Sequence, residues 1–335
     1  MKRNAFYALL LVAAMILGMS LPVSAIRHSG DDRYATAVTI SREGWAEGSE
    51  VVVLARGDLY ADALVGVPLA FAYQAPVLLT RSFQLPEITL AEIVRLGAGK
   101  AMLLGGTKAI SEKVEAQLQD LGLEVKRIGG ANRFETAAAI ARLVAPEGTS
   151  TAFIAYAWDF PDALAAAAYA AANGHPILLT NTDSLDEATM AALEALGVEK
   201  VFAVGGRGVI SDAVLEQLPN PRRFSGDDRY MTALELARIF AGDASTLFFA
   251  SGTNVSGGAD AIAGAALAAR QGTGVLLLGD SLPQQMRNYL SSLHLMNLVV
   301  LGGPAAISQG LYEQLQGYLY APPHRPGQAA NAGPL

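Results

Sequence analysis

One eleven-residue pattern occurs three times in this chain, and it constrains the fold more than any other feature. The copies read RHSGDDRYATA at 27–37, RIGGANRFETA at 127–137 and RFSGDDRYMTA at 223–233. Their common template is R-x-x-G-x-[D/N]-R-[Y/F]-x-T-A, and its second arginine stands at Arg33, Arg133 and Arg229, 100 and then 96 residues apart. Repetition at a fixed long period indicates that one structural unit is used three times. Each unit has about the usual size of a domain.

The repeat divides the chain into five predicted parts. Three copies are predicted at 26–124, 125–221 and 222–318, and the Pro-, Gly- and Ala-containing segment 319–335 is predicted to be a disordered tail. Residues 1–25 resemble a secretory signal, because Lys2 and Arg3 precede an apolar run and Val23-Ser24-Ala25 suits cleavage. The alternative is an uncleaved membrane anchor, since the run is near the lower length limit for a span. Cleavage is favoured because the first copy begins at Arg27, and no membrane contact is then expected.

Short apolar runs alternate with helical segments inside each copy. The first copy has strand candidates at 51–55, 76–80 and 101–104, with helices predicted over 61–73, over 86–96 and after Ser111. The runs are continuously apolar, as in parallel strands that helices cover on both faces. Strand–helix alternation with short links implies right-handed parallel crossovers. We therefore predict an α/β protein of three similar open parallel-sheet domains of Rossmann- or Toprim-like type.

Composition excludes several classes of function. Apolar residues make up 52% of the chain and charged residues 16%, so large buried cores are expected. The absence of cysteine excludes disulfides, thiolate metal sites and cysteine nucleophiles. The net charge of −7, without a basic run, argues against nucleic-acid binding. The four histidines do not recur at equivalent positions, and no H-E-x-x-H or G-x-S-x-G motif is present. We therefore predict no catalytic residue, no metal and no cofactor, although paired carboxylates for glycoside hydrolysis need no local motif.

Glycine pairs follow the last strand of each copy, at Gly105-Gly106, Gly205-Gly206 and Gly302-Gly303. A nucleotide-binding fold holds phosphate at such a strand-to-helix turn. However, the G-x-G-x-x-G pattern fails, and no G-x-x-x-x-G-K-[S/T] motif is present. A tight turn is therefore the favoured interpretation, with a nicotinamide-dependent enzyme as the alternative.

A recurrent aspartate and a recurrent arginine are the candidate site residues. Asp62, Asp162 and Asp260 stand in ADAL, PDAL and ADAI, each near the start of a helix made of small residues. Such a carboxylate either stabilises the helix N-terminus or contacts a ligand at the carboxyl end of the sheet. The structural role is favoured, because structural ion pairs are common.

The arginines Arg33, Arg133 and Arg229 follow good N-cap residues. A cation in the first helical turn costs about 0.3–1 kcal/mol. Each guanidinium is therefore expected to have a partner, either an anionic ligand or, as the favoured choice, a carboxylate of another copy. The aromatic residues next to these arginines are predicted to be core residues and not sugar-stacking platforms.

Taken together, the template, [A/P]-D-A-[L/I], P-[V/I]-L-L-T and G-G-x-x-x-I-S resemble the cell wall-binding repeat type 2 family. The resemblance covers about residues 26–318 in three copies. It implies a pseudo-trimer of the three units and a secreted protein located at the cell wall of a Gram-positive-type envelope. The implied partner is an anionic cell wall polysaccharide or a teichoic-type polymer, held without a covalent bond. The third copy departs from the pattern, because 274–279 reads GVLLLG and a longer loop precedes Asp260, so its site is expected to be altered or lost.

We therefore predict a non-enzymatic wall-binding protein. The polymer is expected to contact grooves between the copies through Arg33, Arg133 and Arg229, together with Asp62, Asp162 and Asp260. Two alternatives stay open: a non-catalytic regulator of a separate cell wall amidase, and an α/β enzyme that binds a nucleotide or acts on wall glycan.

Overall fold

The computed structural model describes residues 23–159, 161–253 and 255–320. The predicted signal segment lies outside these residues except for Val23 to Ala25, and the predicted tail lies outside them except for Leu319 and Tyr320. The strands are β1 (Ser24–His28), β2 (Val51–Arg56), β3 (Val77–Thr80), β4 (Lys100–Leu104), β5 (Glu124–Ile128), β6 (Thr151–Tyr156), β7 (Ile177–Thr180), β8 (Lys200–Val204), β9 (Pro221–Phe224), β10 (Thr246–Ser251), β11 (Val275–Leu278) and β12 (Asn297–Leu301). The helices are α1 (Arg33–Gly44), α2 (Ala61–Val65), α3 (Val67–Ala72), α4 (Glu87–Leu96), α5 (Glu112–Asp120), α6 (Arg133–Val144), α7 (Pro161–Ala172), α8 (Glu187–Ala195), α9 (Asp212–Leu215), α10 (Arg229–Phe240), α11 (Val255–Arg270), α12 (Gln284–Ser292) and α13 (Gln309–Gln316).

The strands form three parallel four-stranded sheets, ordered β3-β2-β4-β5, β7-β6-β8-β9 and β11-β10-β12-β1. Three strands of each sheet come from one copy of the repeat, and the fourth comes from the start of the next copy. For the third sheet that fourth strand is β1, from the beginning of the chain, which pairs with β12 from Ser24 opposite Asn297 to His28 opposite Leu301. The three units therefore form a closed ring, and the prediction of three similar open parallel-sheet units is confirmed.

Hydrogen bonds made by the first residues of β1 help to close the ring. The Ser24 amide donates to the Met296 carbonyl at 2.9 Å, and the Tyr312 hydroxyl donates to the Ala25 carbonyl at 3.0 Å. The predicted cleavage point after Ala25 lies inside this five-residue strand. Cleavage there would leave the segment from Ile26 to His28 to pair with β12.

Three helical segments of small residues, one from each copy, form the centre of the molecule. They are the consecutive pair α2–α3, α7 and α11, and each of the three contacts the other two. Alanines on every side of α7 are fully buried, which is the pattern of a helix surrounded by protein. A Cβ atom at Gly66 or Gly264 would lie 2.1 Å from a methyl group of Leu104 or Leu301, so the absence of a side chain lets these helices pack directly on the strands. This arrangement confirms the predicted pseudo-trimer.

The departure of the third copy from P-[V/I]-L-L-T has a packing explanation. Gly274 replaces the proline of the other copies, and a Cβ atom there would lie 2.0 Å from the ring of Tyr169. Tyr169 is fully buried and stacks on Phe240 with 5.6 Å between ring centroids. Glycine at this position therefore makes room for a tyrosine of the second copy, and it helps to join the second and third units.

Helix starts follow the predicted capping residues in most cases. The side chains of Asp32, Asn132 and Asp228 each accept a backbone N–H of the following helix. Pro86 and Pro283 occupy the N-cap positions of α4 and α12. The fixed backbone angle of proline suits this extended position well, and its missing N–H removes no bond there.

Candidate functional site

Three related grooves lie at the carboxyl ends of the sheets, one at each junction between copies. We call them groove 1 (copies 1 and 2), groove 2 (copies 2 and 3) and groove 3 (copies 3 and 1). Their cavity volumes are about 580, 230 and 440 Å³, respectively. Each groove joins the recurrent aspartate of one copy to the recurrent arginine of the next: Asp62 with Arg133, Asp162 with Arg229, and Asp260 with Arg33. The structure thus brings all six sequence-predicted residues together in pairs, and the third pair exists only because the ring is closed.

Each aspartate lies directly over the first glycine of a glycine pair. Cβ atoms at Gly105, Gly205 and Gly302 would lie 2.5, 3.0 and 2.7 Å from a carboxylate oxygen of the aspartate in the same copy. The same glycines have φ angles of 98°, 133° and 98°, in the left-handed region that favours glycine. The glycine pairs are therefore tight turns, as predicted. The carboxylate fills the space over the turn and would repel a phosphate there, which disfavours a nucleotide site.

Burial raises the pKa of all three aspartates above the usual value, because a carboxylate loses hydration in the groove. The pKa of Asp260 rises to about 6, although the hydroxyl of Thr36 and the charge of Arg33 lower it. Asp162 likewise accepts a hydrogen bond from Thr232. These threonines belong to the next copy, so the aspartates of grooves 2 and 3 join neighbouring units.

Groove 1 differs at this contact. The hydroxyl of Thr136 donates to the backbone carbonyl of Asn132 at 3.0 Å. Burial raises the pKa of Asp62, and the positive charge of Arg133 partly offsets this by stabilising the ionised carboxylate. The aspartate of groove 1 is therefore coupled to the next copy by charge.

Each recurrent arginine donates a hydrogen bond to a backbone carbonyl of its own copy. That carbonyl directly follows strand β2, β6 or β10. Arg33 donates to Gly57, Arg133 to Ala157, and Arg229 to Gly252. Arg229 also forms an ion pair with Asp159 of the second copy, with 3.3 Å between the nitrogen and oxygen atoms. The predicted salt bridge between copies is therefore present in groove 2.

In groove 1 the guanidinium lies over an aromatic ring. The Arg133 guanidinium carbon is 4.1 Å from the ring centroid of Trp158, which is within the range of a cation–π interaction. The indole N–H of Trp158 donates to Asn181 at 2.8 Å, and its backbone carbonyl accepts the Tyr60 hydroxyl at 2.9 Å. The Arg133 head group is thus held by Ala157 and Trp158 of its own copy, and Tyr60 of copy 1 bonds to the Trp158 backbone.

The first arginine of the template, to which the sequence alone assigned no role, forms the same contacts in all three copies. Arg27, Arg127 and Arg223 each donate through Nη1 to two carbonyls of the preceding unit, those of the first turn glycine and of the isoleucine that ends the turn. The distances are between 2.8 and 3.2 Å. These arginines hold the turn under each aspartate, and their recurrence in all three copies was the signal that could have identified them.

Residues found in one groove only were also missed. Arg56, Lys108 and Tyr60 line groove 1, and Trp158 supports it through Arg133. Their counterparts in the other copies are different residue types, so a search for repeated residues could not find them.

Nothing in the described residues adds a metal site or a membrane span. No group of three or more potential metal ligands occurs in residues 23–159, 161–253 and 255–320. Within the same ranges, no helix has both the length and the hydrophobicity that crossing a bilayer requires. Burial lowers the pKa of His28 and His175, and neither residue lines a groove.

Comparison with known proteins gives consistent results. The chain is 35% identical over 294 residues to N-acetylmuramoyl-L-alanine amidase LytC of Bacillus subtilis, covering 88% of this chain and 58% of that protein. It is 30% identical over 298 residues to the amidase enhancer of the same organism, covering 88% of this chain and 40% of that protein. The chain thus spans about half the length of these curated relatives.

Solved structures show the same architecture. Cwp6 from Clostridium difficile superposes with a TM-score of 0.83 at 27% identity, covering 90% of this chain and 48% of that one. Cwp8 from the same organism gives a TM-score of 0.80 at 28% identity, covering 95% and 55%.

The family comparison agrees with the internal repeat. The profile of cell wall binding domain 2 matches residues 27–115, 127–215 and 223–312, one match for each copy. The chain therefore belongs to the cell wall binding domain 2 family, as a ring of three tandem copies.

Proposed function

We propose that this chain is a surface protein that holds itself to the cell wall without a covalent bond, and that its ligand is an anionic wall polymer. The family supports wall binding, and the grooves support the choice of an anionic ligand. The observation that carries the proposal is the recurrence of an oriented guanidinium beside an aspartate at three junctions.

The candidate contacts are Arg33, Arg133 and Arg229, with Asp62, Asp162 and Asp260 positioning them or accepting sugar hydroxyls. Guanidinium suits phosphate and carboxylate groups, because it donates parallel hydrogen bonds in a fixed geometry. A teichoic-type polymer or an acidic polysaccharide would supply such groups. The overall charge of −7 opposes an anionic partner, so the attraction must be local and short-ranged. We further propose that residues 1–25 direct secretion, which would deliver the protein to the wall.

Sedimentation with purified Gram-positive walls tests the proposal. The parent chain should sediment with intact walls, less so as salt is raised, and should stay in solution with walls whose secondary polymers have been removed. A variant with Arg33, Arg133 and Arg229 all changed to glutamine should lose most of its binding. Thermal melts of the variant separate this loss from unfolding. Equal sedimentation with stripped and intact walls would rule out the polymer as ligand.

A second candidate is a regulator of a wall amidase, which the similarity to an amidase enhancer favours. Such a role shares the wall-binding step and adds a protein partner. Measuring the activity of a purified wall amidase with and without this chain tests the role directly. An enzymatic function would instead appear as release of soluble fragments from peptidoglycan in a turbidity assay, or as a nucleotide retained by the purified protein.

A further inference from the structure

The three grooves share one plan but differ in charge. The described residues that line groove 1 include three cationic side chains, Arg56, Lys108 and Arg133, and one carboxylate, Asp62. In grooves 2 and 3 a single arginine faces several carboxylates, which are Asp159, Asp162, Asp227 and Asp228 in groove 2 and Asp31, Asp32 and Asp260 in groove 3. Among the described lining residues, cations outnumber carboxylates in groove 1 alone.

Arg56 and Lys108 account for one part of this difference, and the two residues before the recurrent arginine account for the other. The first and third copies have Asp-Asp there, whereas the second has Ala131-Asn132. Asn132 accepts the Glu135 amide at 2.9 Å, just as Asp32 accepts the Ala35 amide at 2.9 Å. Both residues cap their helix equally well. The change therefore removes two negative charges from groove 1 while the backbone stays the same.

Two further carboxylates near groove 1, Asp58 and Glu135, already form bonds within the protein. Asp58 forms a two-pronged ion pair with Arg56, which leaves Lys108 and Arg133 as the stronger anion contacts. Glu135 turns back onto its own helix start, where it accepts the Ala131 amide at 2.8 Å. Neither carboxylate lines the groove.

An aromatic side chain lies against one of the groove 1 cations, Arg133. Trp158 is 53% exposed, and it is fixed in place by the bonds to Asn181 and Tyr60 described above. An exposed, oriented indole beside a guanidinium provides an apolar contact for a sugar ring next to a contact for its charged group. The aligned positions in the other copies, Asp58 and Thr253, have no aromatic ring.

We propose that groove 1 is the anion site of this protein. It binds one phosphate or carboxylate group of a sugar-containing polymer through Arg133 and Lys108, with Arg56 as a weaker contact and Trp158 against the neighbouring sugar. Grooves 2 and 3 act mainly as joints between copies, because Asp162 and Asp260 accept hydrogen bonds from threonines of the next copy and Arg229 pairs with Asp159. This inference rests on the proposed wall-binding function and narrows it to one of three related grooves.

The test introduces the charges of the other grooves into groove 1. The variant Ala131→Asp/Asn132→Asp copies the Asp-Asp pair of copies 1 and 3, so it keeps a good N-cap, and it gives up the 3.3 Å hydrogen bond from Asn132 to Glu135. Its binding to purified walls should be about tenfold weaker or more, since charge-assisted contacts are among the stronger polar interactions. The charge-matched control is Gln119→Glu/Gln314→Glu on exposed helix positions, which should bind within about twofold of the parent. Both variants should melt at the parent temperature to within a few degrees.

The reciprocal variant Asp227→Ala/Asp228→Asn gives groove 2 the Ala-Asn pair of groove 1 and should bind walls at least as tightly as the parent. Soluble poly(glycerol phosphate) and a soluble polyuronic acid serve as competitors of wall binding. Competition by the first identifies phosphate and competition by the second identifies carboxylate, whereas competition by neither contradicts the proposal.

The two levels of the hypothesis fail in different ways. If the parent chain does not sediment with walls, wall attachment itself is wrong. If the parent binds and Ala131→Asp/Asn132→Asp binds equally well, wall attachment stands and the assignment to groove 1 is wrong.

Discussion

The junction between copies 1 and 2 and the junction between copies 3 and 1 have the same structure but different covalent connections. In the first junction, β5 follows the first copy directly along the chain and completes its sheet. In the second, β1 performs the same task from the opposite end of the chain. Arg127 and Arg27 hold equivalent turns at the two junctions, with the same pair of carbonyl contacts. The comparison shows that a linear repeat can close into a ring when one edge strand stands at the start of the chain. The junction between copies 3 and 1 then depends on non-covalent contacts alone.

The largest effect is expected from removing β1. A chain that starts after His28 would expose the edge of β12 and lose the closure of the third unit. We expect the third unit to unfold in a separate, earlier transition, which calorimetry would detect. Adding a synthetic peptide that covers residues 23–30 should restore a single transition. A truncated chain that melts as the parent does would show that β1 contributes nothing to closure.

The two turn-holding arginines provide the next comparison. Arg127→Ala and Arg27→Ala each leave two buried carbonyls without their donor, which should cost about 2–3 kcal/mol. Arg127 also forms an ion pair with Glu115, whereas Arg27 lies 4.7 Å from the ring centroid of Tyr312. Urea unfolding should therefore show a larger salt dependence for the loss at Arg127. Equal salt dependence at the two positions would indicate that the ion pair adds nothing.

Glycine substitutions test whether the turns under the aspartates are equally tight at both junctions. Gly105→Ala and Gly302→Ala force a side chain into the left-handed region and against a carboxylate, so each should cost about 2 kcal/mol. Gly106→Ala is the matched control, because a Cβ atom there would meet only the Gly130 carbonyl, at 3.7 Å. Denaturant midpoints compare the three variants. A control variant as unstable as Gly105→Ala would point to a general intolerance of this turn.

The smallest effect is expected from the buried carboxylate of groove 3. The pKa of Asp260 is raised to about 6, so ionisation costs more in the folded state than in the unfolded state. This group therefore destabilises the protein above pH 6, and the cost disappears as the pH falls through 6 towards 4. Asp260→Asn should raise the melting temperature at pH 7.5 by a few degrees, for about 1 kcal/mol, and the gain should shrink between pH 6 and 4 and vanish below the reference pKa of 3.8.

The matching variant in groove 1 is Asp62→Asn, whose melting temperature is measured over the same pH range. The pKa of Asp62 is also raised by burial, so the sign of the effect should be the same. A gain at Asp260 that stays constant with pH would show that titration is not its cause.

The central strands were predictable because they are continuously apolar, and the predicted strand at 51–55 is observed as Val51–Arg56. The edge strands Ser24–His28, Glu124–Ile128 and Pro221–Phe224 were not predicted. They contain charged residues and are half exposed, so they have no strand pattern of their own. Pairing with a buried neighbour is what makes them strands.

The repeated pattern determined by itself that the protein has three similar α/β units, and it identified the recurrent arginines and aspartates. Only the tertiary structure decided that an aspartate of one copy meets the arginine of the next, and that β1 closes the ring at Asp260 and Arg33. Only the structure distinguished groove 1 from the other two, because Arg56 and Lys108 are 77 and 25 residues away from Arg133 in the sequence. The physical reason is that repeated residues record what each unit needs locally, whereas charge in a groove is the sum of side chains brought together from distant parts of the chain.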